Sequence, residues 1–161
     1  MGSCGMESDP KFAKYKEDLN KKYKAGQVIS QSSIGTAMVA KYMATKSSAV
    51  LKTINTYGKE HPTAPTKLEA LNLFEKLKKS RHEGVVAVQE ISTFVPGNVL
   101  TVVEEDLTKW YSLKTIWNMH GSNFSERAVG YLAYQLLQVM KHIHSLNIVH
   151  GSINLDNVLC N

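Results

Sequence analysis

Long apolar runs are missing from this chain. No stretch approaches the roughly 18 consecutive apolar residues that suggest a membrane span, and no signal-peptide pattern is present, so the sequence predicts a soluble protein of the cell interior. Cysteine is scarce too. Cys4 and Cys160 lie at opposite ends, which excludes a disulfide framework and fits a reducing compartment. Zinc-ligand spacing, an aromatic-interleaved RNA-binding motif, internal repeats and low-complexity tracts are likewise absent.

The 161 residues are 43% hydrophobic and 20% charged, a composition that can bury a core and is far from that of a disordered chain. The formal net charge is +5, and the excess is local. Six lysines face two acids between Lys11 and Lys24, and a second basic stretch runs from Lys67 to Arg81. A basic helix face is most often a solvated surface, so no specific nucleic-acid partner follows. At the start, Gly2 and Cys4 stand where myristoyl and palmitoyl groups would attach, and two lipids would hold a protein on a membrane. Met6 occupies the place where the myristoylation pattern has Ser or Thr, and an ordinary N-terminus is the blander reading.

Periodicity gives an order of elements. Residues 9–24 are lysine-rich with sparse apolar positions and read as a helical or irregular lead-in that packs little. Gln27 to Ile29, Thr36 to Met43 and Ser48 to Ile54 are β-favouring runs separated by turn clusters, a three-stranded meander. Gly58, Pro62 and Pro65 make residues 57–65 a loop. Thr66-Lys67-Leu68-Glu69 has capping-box spacing, and Leu68, Leu71, Phe74 and Leu77 recur at helical period up to Ser80. Two strands follow, Val85 to Thr93 and Val99 to Glu104, joined at Pro96-Gly97-Asn98. After Leu107 the pattern turns helical: a short segment from Ser112 to Asn118, then a long amphipathic helix opened by Ser125 and ending near Asn147. The fold class is α+β, a five-stranded antiparallel lobe with one helix and then the first helices of a helical lobe. The expected divisions are a lead-in at 1–24, the sheet lobe at 25–106 and the start of the helical lobe at 107–161.

Three segments fall on that order in sequence. Ile29-Ser30-Gln31-Ser32-Ser33-Ile34-Gly35-Thr36-Ala37 lies across the first strand pair, Val50-Leu51-Lys52 lies in the third strand, and Val149-His150-Gly151-Ser152-Ile153-Asn154-Leu155-Asp156-Asn157 follows the long helix. Together, over about residues 27–161, they resemble the glycine-rich loop, strand-three lysine and catalytic loop of the protein kinase family. The resemblance implies a buried Val149, a packing role for His150 and a second magnesium ligand, the Asp of a D-F-G, expected beyond Asn161.

Phosphoryl transfer needs a phosphate cradle, metal ligands and a carboxylate that accepts the substrate hydroxyl proton. In the cradle, Ser30 and Ser32 stand at the first two glycine positions and only Gly35 remains, with Ala37 where the family has a valine against the adenine. Lys52 matches the lysine that reaches the phosphates. Its expected helix partner falls on Leu73, with Glu69 and Glu75 out of register. At the hinge, Glu105 takes the usual acid position beside Leu107, which places Glu104 at the site facing the adenine pocket; a buried unpaired carboxylate is costly, so either the register slips by one or the pocket is altered. Ser152 stands where the family has its catalytic aspartate and is no such base at neutral pH. Gly151 and Asn154 replace an arginine and a lysine. Asn157, a metal ligand in the family, persists and is the candidate magnesium residue.

That pattern implies a pseudokinase. The chain is identified as similar to the Scy-like pseudokinases through residues 74–82, Val85-Val86-Ala87-Val88-Gln89 and Val149-His150-Gly151-Ser152-Ile153. Lys52 departs from members that lack that lysine, and loops of this form also occur in receptor-type pseudokinases. The resemblance implies a scaffold or adaptor for protein partners, cytoplasmic and peripheral to Golgi or endosomal membranes. The candidate nucleotide-binding residues are Gly35, Ala37, Lys52, Glu105, Leu107 and Asn157, taking ATP and magnesium weakly at most. The alternative is an atypical active Ser/Thr protein kinase. His142 and His144 read as partners of the helix dipole, Trp110 and Trp117 as packing around the short helix, and Asp156 as a structural contact.

Overall fold

The fold is described from a computed structural model, which covers residues 9–32, 35–56, 66–94 and 99–161, the side chain of Ser122 excepted. The N-terminal lipidation candidates, the 57–65 loop and the turn at 96–98 lie outside the described residues. By its internal contacts the chain forms two compact units, one of Met1–Ser80 with Ala87–Asp106 and one of Arg81–Val86 with Leu107–Asn161.

The first unit is a five-stranded antiparallel sheet. Its strands are β1 (Tyr23–Ser32), β2 (Gly35–Tyr42), β3 (Ser48–Asn55), β4 (Val88–Phe94) and β5 (Val99–Glu105), in the order β1-β2-β3-β5-β4. β5 is central. Residues 99–104 are all buried, and because strand side chains alternate between faces, β5 supplies two cores at once. On one face Leu100 and Val102 join Val88 and Ala70, with Leu71, Phe74 and Leu77 of the helix α2 (Lys67–Lys79) packed against them. On the other, Val103 joins Leu51, Ala49, Ala40 and Tyr23, while Val99 meets Phe94 and Phe12.

Phe12 belongs to α1 (Pro10–Lys22), which Asp9 caps by accepting a hydrogen bond from the Lys11 backbone amide at 2.8 Å. Contrary to the expectation of a lead-in that packs little, α1 is docked on the sheet. Phe12 is buried, the Tyr15 hydroxyl shares a 2.8 Å hydrogen bond with Thr101 Oγ1, and Leu19 packs on the Tyr23 cluster. Phe12, Tyr15 and Leu19 fall on one helical face; the stripe is thin in number but two of its members are large aromatics. A polar clasp completes the junction, with Glu90 accepting from Lys22 Nζ at 2.6 Å and from the Tyr23 hydroxyl at 2.7 Å. This clasp also explains why β1 begins at Tyr23, ahead of the β-favouring run at Gln27. β4 instead starts later than Val85, because Val85 is held in a turn by its amide bond to the His82 carbonyl.

α2 has the capping box its sequence predicts: Thr66 accepts from the Glu69 amide and the Glu69 carboxylate accepts from the Thr66 amide. In the second unit, β6 (Tyr111–Ser112) pairs with β7 (Leu159–Cys160). α3 (Leu113–His120) is capped by Ser112 and α4 (Glu126–Ser145) by Ser125. Asn147, at φ 55°, ends α4: the Ile148 amide bonds the Ile143 carbonyl and the Asn147 amide bonds that of His144, a Schellman closure that brings two apolar residues together. Ile143 and Ile148 are the buried pair, and Val149 is consequently turned outward, 82% exposed, opposite to the burial the resemblance implies. Trp117 meets Phe124 with ring centroids 5.5 Å apart and stays half exposed. His142 contacts the His82 ring at 4.7 Å. Among the described residues no helix is long and apolar enough to cross a membrane.

Truncating Phe12 to Ala is expected to cost about 3–5 kcal/mol, read as a shift of the urea midpoint. The clasp also carries a pH dependence. Burial opposes ionisation of Glu90, but hydrogen bonds from Lys22 and Tyr23 outweigh it and hold its carboxyl below the ordinary 4.5. Its stabilisation is present above 4.5 and lost as pH falls through the lowered value, so Glu90→Gln should flatten the stability profile on the acid side. Burial first, then the bond to Glu90, raises the Tyr23 phenol well above its ordinary 10. That contribution persists below pH 10 and is lost only as pH rises through the raised value, so in absorbance titrations Tyr23 should ionise after the exposed tyrosines.

Candidate functional site

The β1–β2 end is built by strand pairing. Ser32 pairs with Gly35 and Ser30 with Ala37, and Gly35 in turn pairs with Ile54 of β3. A Cβ on Gly35 would lie 2.0 Å from the Thr53 carbonyl oxygen, so this glycine is required by the close approach of β3 whether or not a phosphate is ever bound. Ala37 sits opposite Lys52 on the neighbouring strand.

Lys52 projects from β3 beside β5. The β3–β5 register runs without a shift from Ala49↔Glu105 to Asn55↔Val99, with Lys52 opposite Val102 and Val50 opposite Glu104. Lys52 and Glu104 are therefore diagonal neighbours on one face, within reach of long side chains. Lys52 Nζ lies 2.6 Å from Glu104 Oε2, and the Glu104 side chain is 8% exposed against 42% for Lys52. The β3–β5 register is regular, while the β4–β5 register shifts between Val88, opposite Glu104, and Glu90. A buried carboxylate is tolerated because the lysine satisfies it.

No acid of α2 takes that role. Glu69 is committed to its cap, where hydrogen bonds from the Thr66 hydroxyl and then its backbone amide hold the carboxyl below the usual range. Glu75 approaches Lys79 at 3.8 Å. The hinge acid Glu105 is also engaged: its Oε1 accepts from the Ala87 amide at 2.6 Å, while its own amide donates to the Ala87 carbonyl at 3.0 Å. It staples β5 to the entrance of β4. Leu107 opens the second unit, its carbonyl accepting from the Trp110 amide.

The loop from His150 to Asn157 is closed on itself. Gly151 has φ 73°, a conformation that suits a residue without a Cβ. The Ser152 amide donates to His150 Nδ1 at 3.2 Å. Asn157 Nδ2 donates to the Ser152 carbonyl at 2.8 Å and to its hydroxyl oxygen at 3.2 Å. Asn154 Oδ1 accepts from the amides of Asp156 and Asn157, so the residue at the catalytic lysine's position shapes the turn. Asp156 pairs with Lys114 at 3.1 Å, and the Leu155 and Val158 carbonyls accept from the first amides of α3. Asn154, Asp156 and the side-chain amide nitrogen of Asn157 are thus used in shaping this loop and tying it to α3.

The fold and these positions define a protein kinase domain. The family model described as "Protein kinase domain" matches residues 23–161, and the chain belongs to that family. Similar proteins include mitogen-activated protein kinase 13 of Mus musculus, 33% identical over 86 residues, which are 53% of this chain and 23% of that protein. Mitogen-activated protein kinase KSS1 of Saccharomyces cerevisiae is 26% identical over 150 residues, 89% of this chain and 39% of that protein. Serine/threonine-protein kinase chk-2 of Caenorhabditis elegans is 23% identical over 147 residues, 89% of this chain and 31% of that protein. The chain thus spans less than two fifths of the length of each.

Protein kinase domains take ATP with magnesium. Of the residues the resemblance assigns to that pair, Lys52 is paired with Glu104 and Gly35 is already demanded by strand packing.

Two stability predictions follow from this geometry. Gly151→Ala should cost about 1 kcal/mol from the left-handed backbone alone, since a Cβ there would meet nothing within 4 Å. Lys52→Met, which strands a buried carboxylate, should cost about 1–3 kcal/mol, whereas Glu104→Met should stay within about 1 kcal/mol of the parent. Equal losses in urea denaturation would contradict the buried-pair geometry.

Proposed function

We propose that this chain is a catalytically silent protein kinase-like domain, a pseudokinase that works as a scaffold or adaptor for protein partners. The observation that carries the reading is Ser152: it stands at the general-base position, and its hydroxyl oxygen and carbonyl are bonded by the Asn157 amide. A serine hydroxyl is nearly neutral across physiological pH and does not replace a carboxylate as proton acceptor. Asn154 at the lysine position adds to the case by folding into the turn. Retention of the scaffold with its chemical positions replaced is what a binding module requires, and weak or absent ATP and magnesium binding goes with it.

The Scy-like resemblance in the stretch 74–82, in residues 85–89 and in the loop supports a place in membrane trafficking, peripheral to Golgi or endosomal membranes, with Gly2 and Cys4 as candidate lipid anchors. The second reading is an atypical active Ser/Thr kinase. It is favoured by the retention of Lys52 and Asn157 and by relatives whose names are those of kinases.

Radiometric transfer from ATP to the protein itself and to generic substrates, with magnesium or manganese, separates the two. No incorporation above background is expected. Robust transfer that disappears in Lys52→Ala would sink the pseudokinase reading. Magnesium-ATP should raise the melting temperature by no more than about 2 °C, since ligand stabilisation grows with the logarithm of one plus the ligand concentration over Kd.

A further inference from the structure

We infer that Glu104 is an internal competitor for the nucleotide, a built-in carboxylate that occupies Lys52 and is the residue that sets this domain's affinity for ATP. The inference deepens the pseudokinase reading and rests on its assignment of Lys52 as the phosphate-facing lysine.

Three observations carry it. Lys52 Nζ sits 2.6 Å from Glu104 Oε2, a charge-assisted contact of the kind phosphate oxygens would make with the same ammonium. Glu104 lies on the buried interior of the sheet with Leu100 and Val102, one register step from Lys52, where Val50 and Val88 flank it. On α2, the sheet-facing residues are Ala70, Leu71, Phe74 and Leu77. The ammonium is therefore met by an acid of β5, while these α2 residues are apolar.

Physical consequences follow in two directions. A triphosphate that engages Lys52 must displace a carboxylate tethered on the adjacent strand, which competes at high effective concentration. Displacement then leaves Glu104 buried without its partner, and its negative charge faces the incoming phosphates. Both effects oppose nucleotide binding, and neither depends on Ser152. Loss of the cradle glycines lowers affinity for any phosphate ligand, but Glu104 makes the exclusion specific to ligands that need Lys52.

The competing role for the same contact is the opposite one: Glu104 could hold Lys52 in place for phosphate, as a helix acid does elsewhere in the family. Fluorescence anisotropy with a ribose-labelled ATP, with and without magnesium chloride, on the full chain distinguishes them. Glu104→Met should bind at least about tenfold more tightly than the parent, and the double variant Lys52→Met with Glu104→Met should lose that gain. Unchanged or weaker binding by Glu104→Met, or a gain that survives in the double variant, overturns the inference. Should Glu104→Met fail to fold by circular dichroism, the isosteric Glu104→Gln removes the charge and must also bind more tightly; if it does not, the inference fails. The readout is affinity alone, so phosphoryl transfer by the parent chain would defeat the pseudokinase reading while leaving this comparison to decide the role of Glu104.

Discussion

Alternation along β5 is the constraint on which the first unit depends. Six consecutive residues, Val99 to Glu104, are buried, and with a side-chain period of two they must serve both faces of the sheet. Leu100 and Val102 hold α2, while Val99, Thr101 and Val103 hold α1 and β1. The next inward position on the α2 face is Glu104. Shifting β5 by one residue would exchange the two cores, so the register cannot slip to spare a carboxylate from burial. The ion pair with Lys52 is the local answer to a requirement imposed by the whole sheet.

The same logic runs through the catalytic-loop segment. Gly151, Ser152 and Asn154 stand where the resemblance expects other residues, and together with the retained Asn157 they serve the loop's own hydrogen bonds and turn geometry. Asn154 caps the turn at Asp156 and Asn157, Asn157 reaches back to Ser152, and Gly151 takes the left-handed conformation. A loop that meets its hydrogen-bonding needs internally keeps its shape without a substrate or a metal to organise it.

The pairing of Lys52 follows from where its partner acid sits. An active kinase places its lysine between a helix acid and phosphate, so the lysine's partner lies outside the ligand's path. Here the partner comes from the adjacent strand β5, and the contact satisfies a buried carboxylate. Glu69, one of the two out-of-register candidates for the helix role, is spent on closing the first turn of α2.

Much of this protein was decided locally and could be read from the chain itself. β-favouring runs between turn clusters marked the strands, the Thr66–Glu69 spacing marked a cap that forms as expected, Asn147 marked the end of α4, and the order of elements with the His150–Asn157 spacing pointed to the kinase fold, because such signals depend on neighbours a few residues apart. Three features depended on partners far along the chain. α1 looked like a solvated lysine-rich lead-in until Phe94, Val99 and Thr101, more than 80 residues later, covered Phe12 and Tyr15. Val149 is turned outward because the Schellman closure of α4 buries Ile148 against Ile143. The pairing of Lys52 with Glu104 needed the register between β3 and β5. A sequence does not state which strands are adjacent, and only the tertiary pairing sets a cation beside a carboxylate 52 positions away.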